Sequence, residues 1–173
     1  MPAAKKVKPI PDGYHTITPH LVVASAAKAI DFYKKAFAAE EIMRMPGPDG
    51  AIMHAEVCIG DSRFMLGEEN ANSNCKGPLA LGGSPTSFYI YVQDVDKAWK
   101  RATDAGAKIK MPLADMFWGD RVGYVEDPFG HVWSLAQHTR DLTPEEMKTG
   151  HQEFMARMKQ QHHQQQQGGA KKK

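Results

Sequence analysis

The sequence predicts an α+β protein made of two similar βαβββ units, and three observations support this prediction. At 173 residues, the chain is long enough for one hydrophobic core and too short for two independent ones. Short segments with two-residue apolar alternation flank two segments with helical periodicity, in the same order in each half. A weak internal repeat at an offset of 69 residues aligns Val23 with Val92 and Ala36 with Ala105.

The first unit follows a proline- and lysine-rich stretch, residues 1–13, which we expect to be a flexible tether. A strand is predicted from Ile17 to Val23, with Thr18 and His20 on one face. Ser25 is the expected N-cap of the next helix. The remaining elements of this unit are a helix over residues 26–38 and strands over 41–45, 51–59 and 63–66.

The second unit restarts the same pattern after residues 69–86, a Gly-, Asn-, Ser- and Pro-rich segment that we interpret as a linker. Its predicted strands cover residues 87–92, 108–113, 121–126 and 131–137, and its helix covers 95–105. The domain therefore spans residues 14–139, with module one at 14–68 and module two at 87–139. Each unit has one sheet face left after its helix packs, and pairing these faces would create a shared cavity.

The C-terminal region predicts an amphipathic helix within residues 140–160. Thr143, Pro144 and Glu146 provide an N-cap, a first-turn proline and a capping-box glutamate. The apolar stripe of this helix is expected to pack on the body or on a partner subunit, and a methionine-rich peptide-binding face is the alternative. Residues 161–173 are of low complexity and are predicted to be disordered.

Composition and charge exclude several classes of protein. No apolar run is long enough to cross a membrane, and no cleavable secretory signal is present, so we expect a cytoplasmic protein. The two cysteines, Cys58 and Cys75, cannot build a disulfide framework or a cysteine zinc site. Seven lysines lie in the terminal segments, which leaves the body with a net charge of −5. This distribution argues against nucleic acid as a partner.

Several motifs resemble the vicinal oxygen chelate superfamily, and most closely its PhnB-like group, often labelled glyoxalase/bleomycin resistance protein/dioxygenase. The motifs, in chain order, are Ile30-Asp31-Phe32-Tyr33, His54-Ala55-Glu56, Ile59-Gly60-Asp61-Ser62, Trp118-Gly119-Asp120-Arg121 and Asp127-Pro128-Phe129-Gly130-His131. The resemblance covers residues 14–139. It implies the glyoxalase/bleomycin resistance/dihydroxybiphenyl dioxygenase-like fold, in which a curved mixed sheet surrounds a cavity. It leaves the reaction open, because this fold hosts lyases, epimerases, dioxygenases and pure binding proteins.

The resemblance also implies four metal-ligand positions, which fall on Thr18, Met65 or a neighbour, Ser87 and Ser134. Hydroxyl and thioether groups are poor ligands for Zn, Ni or Fe, which need imidazole, carboxylate or thiolate donors. We therefore expect no metal and no other cofactor at these positions.

An alternative site uses His20, His54 and Glu56, the candidate catalytic residues. These side chains could hold a divalent metal or act as general acid and base. A spacing of about 4.8 Å between strands would place His20 and His54 near 10 Å apart, too far for one ion. This argues against the metal version of the site.

The expected cavity combines aromatic walls with a few polar groups, which is typical of small-molecule sites. The candidate ligand-binding residues are Thr18, Ser87, Tyr89, Tyr91, Trp118, Arg121 and Ser134. Arg121 could clamp an anionic substrate or form an ion pair with Asp120 or Glu126. We expect a homodimer that binds a small organic molecule without metal. The alternative is a glyoxalase- or dioxygenase-related lyase or isomerase that uses His20, His54 and Glu56.

Overall fold

The computed structural model describes residues 7–47, 50–70, 72 and 74–170, and gives backbone only for residues 161–170. Within these described residues, eight strands and four helices follow one another in two similar series. The first series contains β1 (His20–Val23), α1 (Ala26–Phe37), β2 (Glu40–Pro46), β3 (Ile52–Ile59) and β4 (Ser62–Glu68). The second contains α2 (Pro78–Leu81), β5 (Ser87–Tyr91), α3 (Val95–Asp104), β6 (Lys108–Asp115), β7 (Asp120–Glu126), β8 (Val132–His138) and α4 (Pro144–Ala170).

Each module folds into its own four-stranded mixed sheet. The strand order is β1-β4-β3-β2 in the first sheet and β5-β8-β7-β6 in the second. In both sheets the first strand pairs in parallel with the last, and the other pairs are antiparallel. The predicted two-module α+β fold is therefore confirmed, and β1 and β5 each form one edge of a sheet.

Helix α1 begins where the sequence predicts, but a different side chain caps it. Ser25 occupies the N-cap position without a side-chain hydrogen bond to the helix. The carboxylate of Glu68, at the end of β4, instead accepts a hydrogen bond of 2.8 Å from the Ala26 amide. A carboxylate near a helix N-terminus stabilises the helix through its dipole. This contact also fixes α1 against its own sheet.

The helix-bearing faces of the two sheets face each other. Helices α1 and α3 pack together, and each covers one face of its own sheet. Aromatic rings from both modules meet beside these helices, including Tyr33 and Phe64 from the first module and Trp133 from the second. The helix-free faces consequently point outward. From the sequence we expected the helix-free faces of the two modules to pair, but within this chain the helix-bearing faces pair and form the shared hydrophobic core.

A buried carboxylate joins the modules within this core. Asp127 is 1% exposed and accepts hydrogen bonds from the Tyr33 hydroxyl at 2.8 Å and the Trp133 indole at 2.9 Å. Its other oxygen accepts the backbone amides of Phe129 and His131, each at 2.9 Å. Because a buried charge is costly without such partners, all four donors help to fix the turn before β8.

Two segments differ from the sequence expectations. The interval 69–86 contains the short helix α2, which starts at a proline and ends at Gly82 in the left-handed region. Helix α4 continues to Ala170, beyond the predicted start of a disordered tail at residue 161. Glutamine is a good helix former, and residues 161–167 contain neither glycine nor proline.

No helix in the described part of the chain is both long enough and apolar enough to cross a membrane.

Candidate functional site

The outward face of the second module carries a row of aromatic side chains. Tyr89 pairs with Ser134, which in turn pairs with Tyr124, so these three residues share the helix-free face. Tyr89 and Tyr91 are 45% and 63% exposed, and their ring centroids lie 5.1 Å apart. Ser134, by contrast, is buried at 4% exposure. Burial raises the pKa of Tyr89 to about 12, and the nearby Asp120 carboxylate adds to this effect.

Asp120 is a buried carboxylate that accepts hydrogen bonds from two aromatic side chains of this face. It is 3% exposed and accepts hydrogen bonds from the Tyr91 hydroxyl at 2.9 Å and the Trp118 indole at 3.2 Å. His138 lies 2.8 Å from the second oxygen of Asp120 and 3.1 Å from Asp141. Hydrogen bonds to both carboxylates raise the pKa of His138, and the bond to Asp120 has the larger effect. The rings of Tyr91 and Trp118 are thereby held in fixed positions.

The outward face of the first module carries His20, His54 and Glu56. The imidazole rings of His20 and His54 are stacked, with centroids 6.2 Å apart and planes 9° apart. The expected separation near 10 Å was therefore wrong. Gly67, on the strand between them, has no side chain, and a Cβ there would lie 3.2 Å from the His20 ring. This gap lets the two rings lean toward each other across β4.

Glu56 lies beside the stacked histidines. Its Oε1 is 3.5 Å from Nε2 of His54, and both side chains are largely buried. The pKa of His20 is lowered, first by burial and then by the charge of His54. The first module thus brings together all three residues that the sequence singled out for catalysis.

A cavity of about 730 Å³ lies between the two modules, along the free edge of β5. Its floor consists of aromatic side chains from both modules: Phe37, Phe64, Phe88 and Trp133. Tyr89, Tyr91 and Arg63 contribute to its lining from the strands at either side. The volume lies within the range of about 300–1,000 Å³ for small-molecule sites.

The predicted ligand-binding residues are distributed over several places. Tyr89, Tyr91, Ser134 and Trp118 all lie on the outward face of the second module, but of these four only Tyr89 and Tyr91 also line the cavity. Thr18 precedes β1, and its hydroxyl donates a hydrogen bond of 3.3 Å to the His15 carbonyl. Ser87 lies at the start of β5, opposite Val132.

Arg121 lies on the opposite face of its sheet from the tyrosines. Its guanidinium forms ion pairs with Asp96 of α3 at 2.8 Å and with Asp115 at 3.3 Å. The alternation of β7 accounts for this placement, because Gly123, two residues along, faces Trp99 of α3. Of the two interpretations of Arg121, the ion pair is the one the structure contains, although with other partners than those expected.

Sequence reasoning missed Arg63, Asp120 and His138 as site residues. Alternation offered a signal for Arg63, because the buried Phe64 next to it fixes Arg63 on the outward face of β4. Asp120 was quoted within a motif, but its three hydrogen-bond donors come from β5, β8 and the preceding loop. No local sequence pattern indicates that donors from three separate segments meet at one carboxylate.

The residues at the metal-ligand positions do not fit a divalent metal. Met65 pairs with His20 and Ser134 pairs with Tyr89, so these positions do lie on the outward faces of the central strands. Their thioether and hydroxyl groups, with those of Thr18 and Ser87, lack the basicity that Zn, Ni or Fe requires. Across the residues that the structure describes, no three His, Cys, Asp or Glu side chains are grouped for metal binding.

Two βαβββ modules with this strand order, packed around an aromatic cavity, define a vicinal oxygen chelate fold. The chain belongs to the Glyoxalase/Bleomycin resistance protein/Dioxygenase superfamily, whose sequence profile matches residues 13–135. The predicted resemblance is therefore confirmed for the superfamily.

Similar proteins agree with this assignment. The Rv0887c protein of Mycobacterium tuberculosis is 46% identical over 136 residues, which cover 76% of this chain and 79% of that protein. The crystal structure of TioX from Micromonospora sp. ML1 is 27% identical with a TM-score of 0.56, and covers 75% of this chain and 100% of that one. The PhnB protein of Bacillus cereus has a TM-score of 0.57 at 20% identity, over 71% of this chain and 99% of that one. At that identity the likeness concerns the fold alone.

Proposed function

We propose that this protein binds a small organic molecule with a flat apolar part in the cavity between its modules, without a bound metal. The observation that carries the proposal is the cavity itself, about 730 Å³ with an aromatic floor and a polar rim. Aromatic walls favour flat ligands through offset and edge contacts, and the few polar groups of the rim fix orientation.

Rigidity of the wall supports this proposal. Tyr91 donates its hydroxyl hydrogen to the buried Asp120, and Trp133 donates its indole hydrogen to the buried Asp127. Both rings are therefore held in place before a ligand arrives. A preorganised site loses less conformational entropy on binding, which increases affinity.

The metal-free part of the proposal rests on donor chemistry. Thr18, Met65, Ser87 and Ser134 offer no imidazole, carboxylate or thiolate to an ion. Elemental analysis of the purified protein, after removal of the histidine-containing tail, is expected to find substoichiometric Zn, Ni, Mn and Fe. A stoichiometric transition metal would contradict this part of the proposal.

A filled cavity tests the binding function. Ile90→Trp places a larger side chain in the cavity lining, and Ile109→Trp makes the same change on β6, where Ile109 is 56% exposed. We expect Ile90→Trp to weaken binding of the neutral fluorophore N-phenyl-1-naphthylamine by about tenfold, and Ile109→Trp to leave it unchanged. Native mass spectrometry of the wild-type protein would reveal a retained natural ligand. Equal affinity in both variants would contradict the proposed site.

A second candidate function is acid–base catalysis, as in a lyase or isomerase. It is favoured by one observation, the contact of 3.5 Å between His54 and Glu56 beside the stacked His20. A histidine and a carboxylate at this separation can exchange protons with a substrate carbon next to a carbonyl. In this alternative, His54→Ala abolishes turnover of a substrate. Unchanged ligand after prolonged incubation with the wild-type protein would favour pure binding.

We also propose that the protein is a homodimer through its outward faces. Met43 and Met45 pair with Glu56 and His54 and therefore lie on the outward face of the first module, where they are 37% and 42% exposed, and Tyr91 of the second module is 63% exposed. Clustered exposed apolar side chains are typical of surfaces that bind another protein. Sedimentation velocity is expected to show one species at twice the mass of the 19.2 kDa chain. A Met45→Lys variant should shift this species toward the monomer.

A further inference from the structure

Arg63 occupies an unusual position beside the cavity. It lies on the outward face of β4, opposite Cys58 of β3, and its side chain lines the cavity between the modules. In the described part of the chain, its guanidinium has no ion-pair partner, whereas Arg44 and Arg121 each pair with a carboxylate. A partly buried guanidinium without a carboxylate partner is suited to bind an anion from outside.

The N-terminal segment holds this guanidinium in place. The ring centroid of Tyr14 lies 5.1 Å from Cζ of Arg63, a cation–π distance. Gly13, with φ of +83°, passes so close that a Cβ would lie 2.7 Å from the guanidinium. Residues 13 and 14 therefore pack on Arg63, although the sequence predicts a flexible tether up to residue 13.

We propose that Arg63, held by Tyr14, is the anion-binding residue of the cavity, so that the ligand is a flat organic molecule with one carboxylate or sulfonate group. The inference rests on the proposed binding function and narrows its ligand class. The aromatic floor takes the apolar part of the molecule, and Arg63 at the rim takes the charge through two parallel N–H···O hydrogen bonds.

Neighbouring carboxylates do not cancel the charge of Arg63. Glu56 interacts with the Tyr14 hydroxyl, and this hydrogen bond is the main reason that the pKa of Tyr14 is raised. Oε1 of Glu56 also lies 3.5 Å from Nε2 of His54. Glu40 and Asp61 also line the cavity, and they would repel an anionic group placed next to them. One orientation of the ligand is therefore favoured.

Two fluorophores with the same rings test this inference. 8-Anilinonaphthalene-1-sulfonate carries an anionic group, and N-phenyl-1-naphthylamine lacks it. We expect Arg63→Met to weaken binding of the sulfonate by about tenfold and to leave the neutral fluorophore unchanged. Arg44→Met is the matched control, because Arg44 already pairs with Glu41 on the exposed strand β2. It should change neither affinity.

The two proposals fail in different ways. Equal loss of both fluorophores in Arg63→Met, or no loss of either, would overturn the anion-binding role and leave the cavity function standing. If the wild-type protein binds neither fluorophore, the cavity function and the role of Arg63 are both overturned. Far-ultraviolet circular dichroism of each variant verifies that the fold is retained.

Variants of Tyr14 test its contribution separately. Tyr14→Phe keeps the ring over Arg63 and should retain sulfonate affinity, whereas Tyr14→Ala removes the ring and should lower it by roughly threefold. The neutral fluorophore should respond to neither change. A larger loss in Tyr14→Phe than in Tyr14→Ala would overturn the positioning role of the ring.

Discussion

Asp127 shows how a single side chain can connect two halves of a fold. One of its oxygens accepts hydrogen bonds from Tyr33 of the first module and Trp133 of the second, at 2.8 and 2.9 Å. Burial raises the pKa of Tyr33 well above its usual value, and the adjacent Asp127 charge adds to this. The phenol therefore stays protonated and donates across the whole physiological pH range.

Removing one donor should be costly. Tyr33→Phe leaves the buried Asp127 oxygen with one hydrogen bond fewer, and we expect a loss of about 1–3 kcal/mol in the free energy of unfolding. Urea unfolding followed by tryptophan fluorescence measures this loss. Tyr124→Phe, on the outward face of β7, is the matched control and should change stability by less than about 0.5 kcal/mol. Equal effects of the two changes would contradict the assigned role of Tyr33.

His138 predicts a pH dependence of stability. Hydrogen bonds to Asp120 and Asp141 raise its pKa in the folded state, so the folded protein binds its proton more tightly than the unfolded chain. The stabilisation is complete below the ordinary pKa of about 6.5 and is lost as pH rises through the raised value. His20 acts in the opposite sense, because burial lowers its pKa.

The single variant His138→Gln separates these two effects. The difference in unfolding free energy between wild type and variant should shrink as pH rises from below 6.5 to above the raised pKa of His138. Urea midpoints measured at several pH values give this difference directly. A difference that is constant with pH would contradict the ion-pair role of His138.

At the scale of elements, residue periodicity predicted every strand of the two modules and the helices α1 and α3 to within a few residues, but not the short helix α2. Boundaries that depend on distant partners were not predictable. Strand β1 begins at His20 rather than Ile17, although the Pro19 carbonyl already accepts the Met65 amide. The cap of α1 is Glu68, which is 42 residues away from Ala26 in the chain. Local sequence rules describe neighbours along the chain and contain no information on such contacts.

Helix α3 packs so closely on its sheet that one position admits only glycine. A Cβ at Gly123 would lie 2.4 Å from the Trp99 ring. We expect Gly123→Ala to push α3 away from β7 and to cost about 1–3 kcal/mol, through overpacking. The reference variant is Ala105→Gly, at the C-cap of α3. Gly106→Ala would be strained for a different reason, the positive φ of Gly106, and is therefore not used. Thermal unfolding by circular dichroism measures both variants.

At the scale of the whole molecule, the sequence indicated which residues share a strand face but not which faces meet. Alternation places His54 and Glu56 on one face of their strand, and the structure adds His20 from another strand, with its ring 6.2 Å from that of His54. Phe37, Phe64 and Trp133 come from separate elements, and only the packing of both modules makes them one cavity floor. Arg63 joins this cavity for the same reason. The composition of the cavity therefore depends on tertiary packing, which residue periodicity does not predict.

The shared core predicts one cooperative unfolding transition. Side chains of both modules form a single hydrophobic cluster that includes Tyr33, Phe64 and Trp133. Tryptophan fluorescence and far-ultraviolet circular dichroism should therefore give the same urea midpoint. Separate midpoints would show that the modules unfold independently.

The joint use of Asp127 by both halves also has a consequence for fragments of the chain. A cut after Gly82, beyond α2, would leave the Tyr33 phenol on one polypeptide and its acceptor on the other. The second piece loses one of the four donors to Asp127, and neither piece alone can bury the aromatic surface of the shared core, so each should be largely unstructured in isolation. Mixed together, the two pieces should reassemble into a non-covalent replica of the intact protein, which makes this chain a natural candidate for a split reporter.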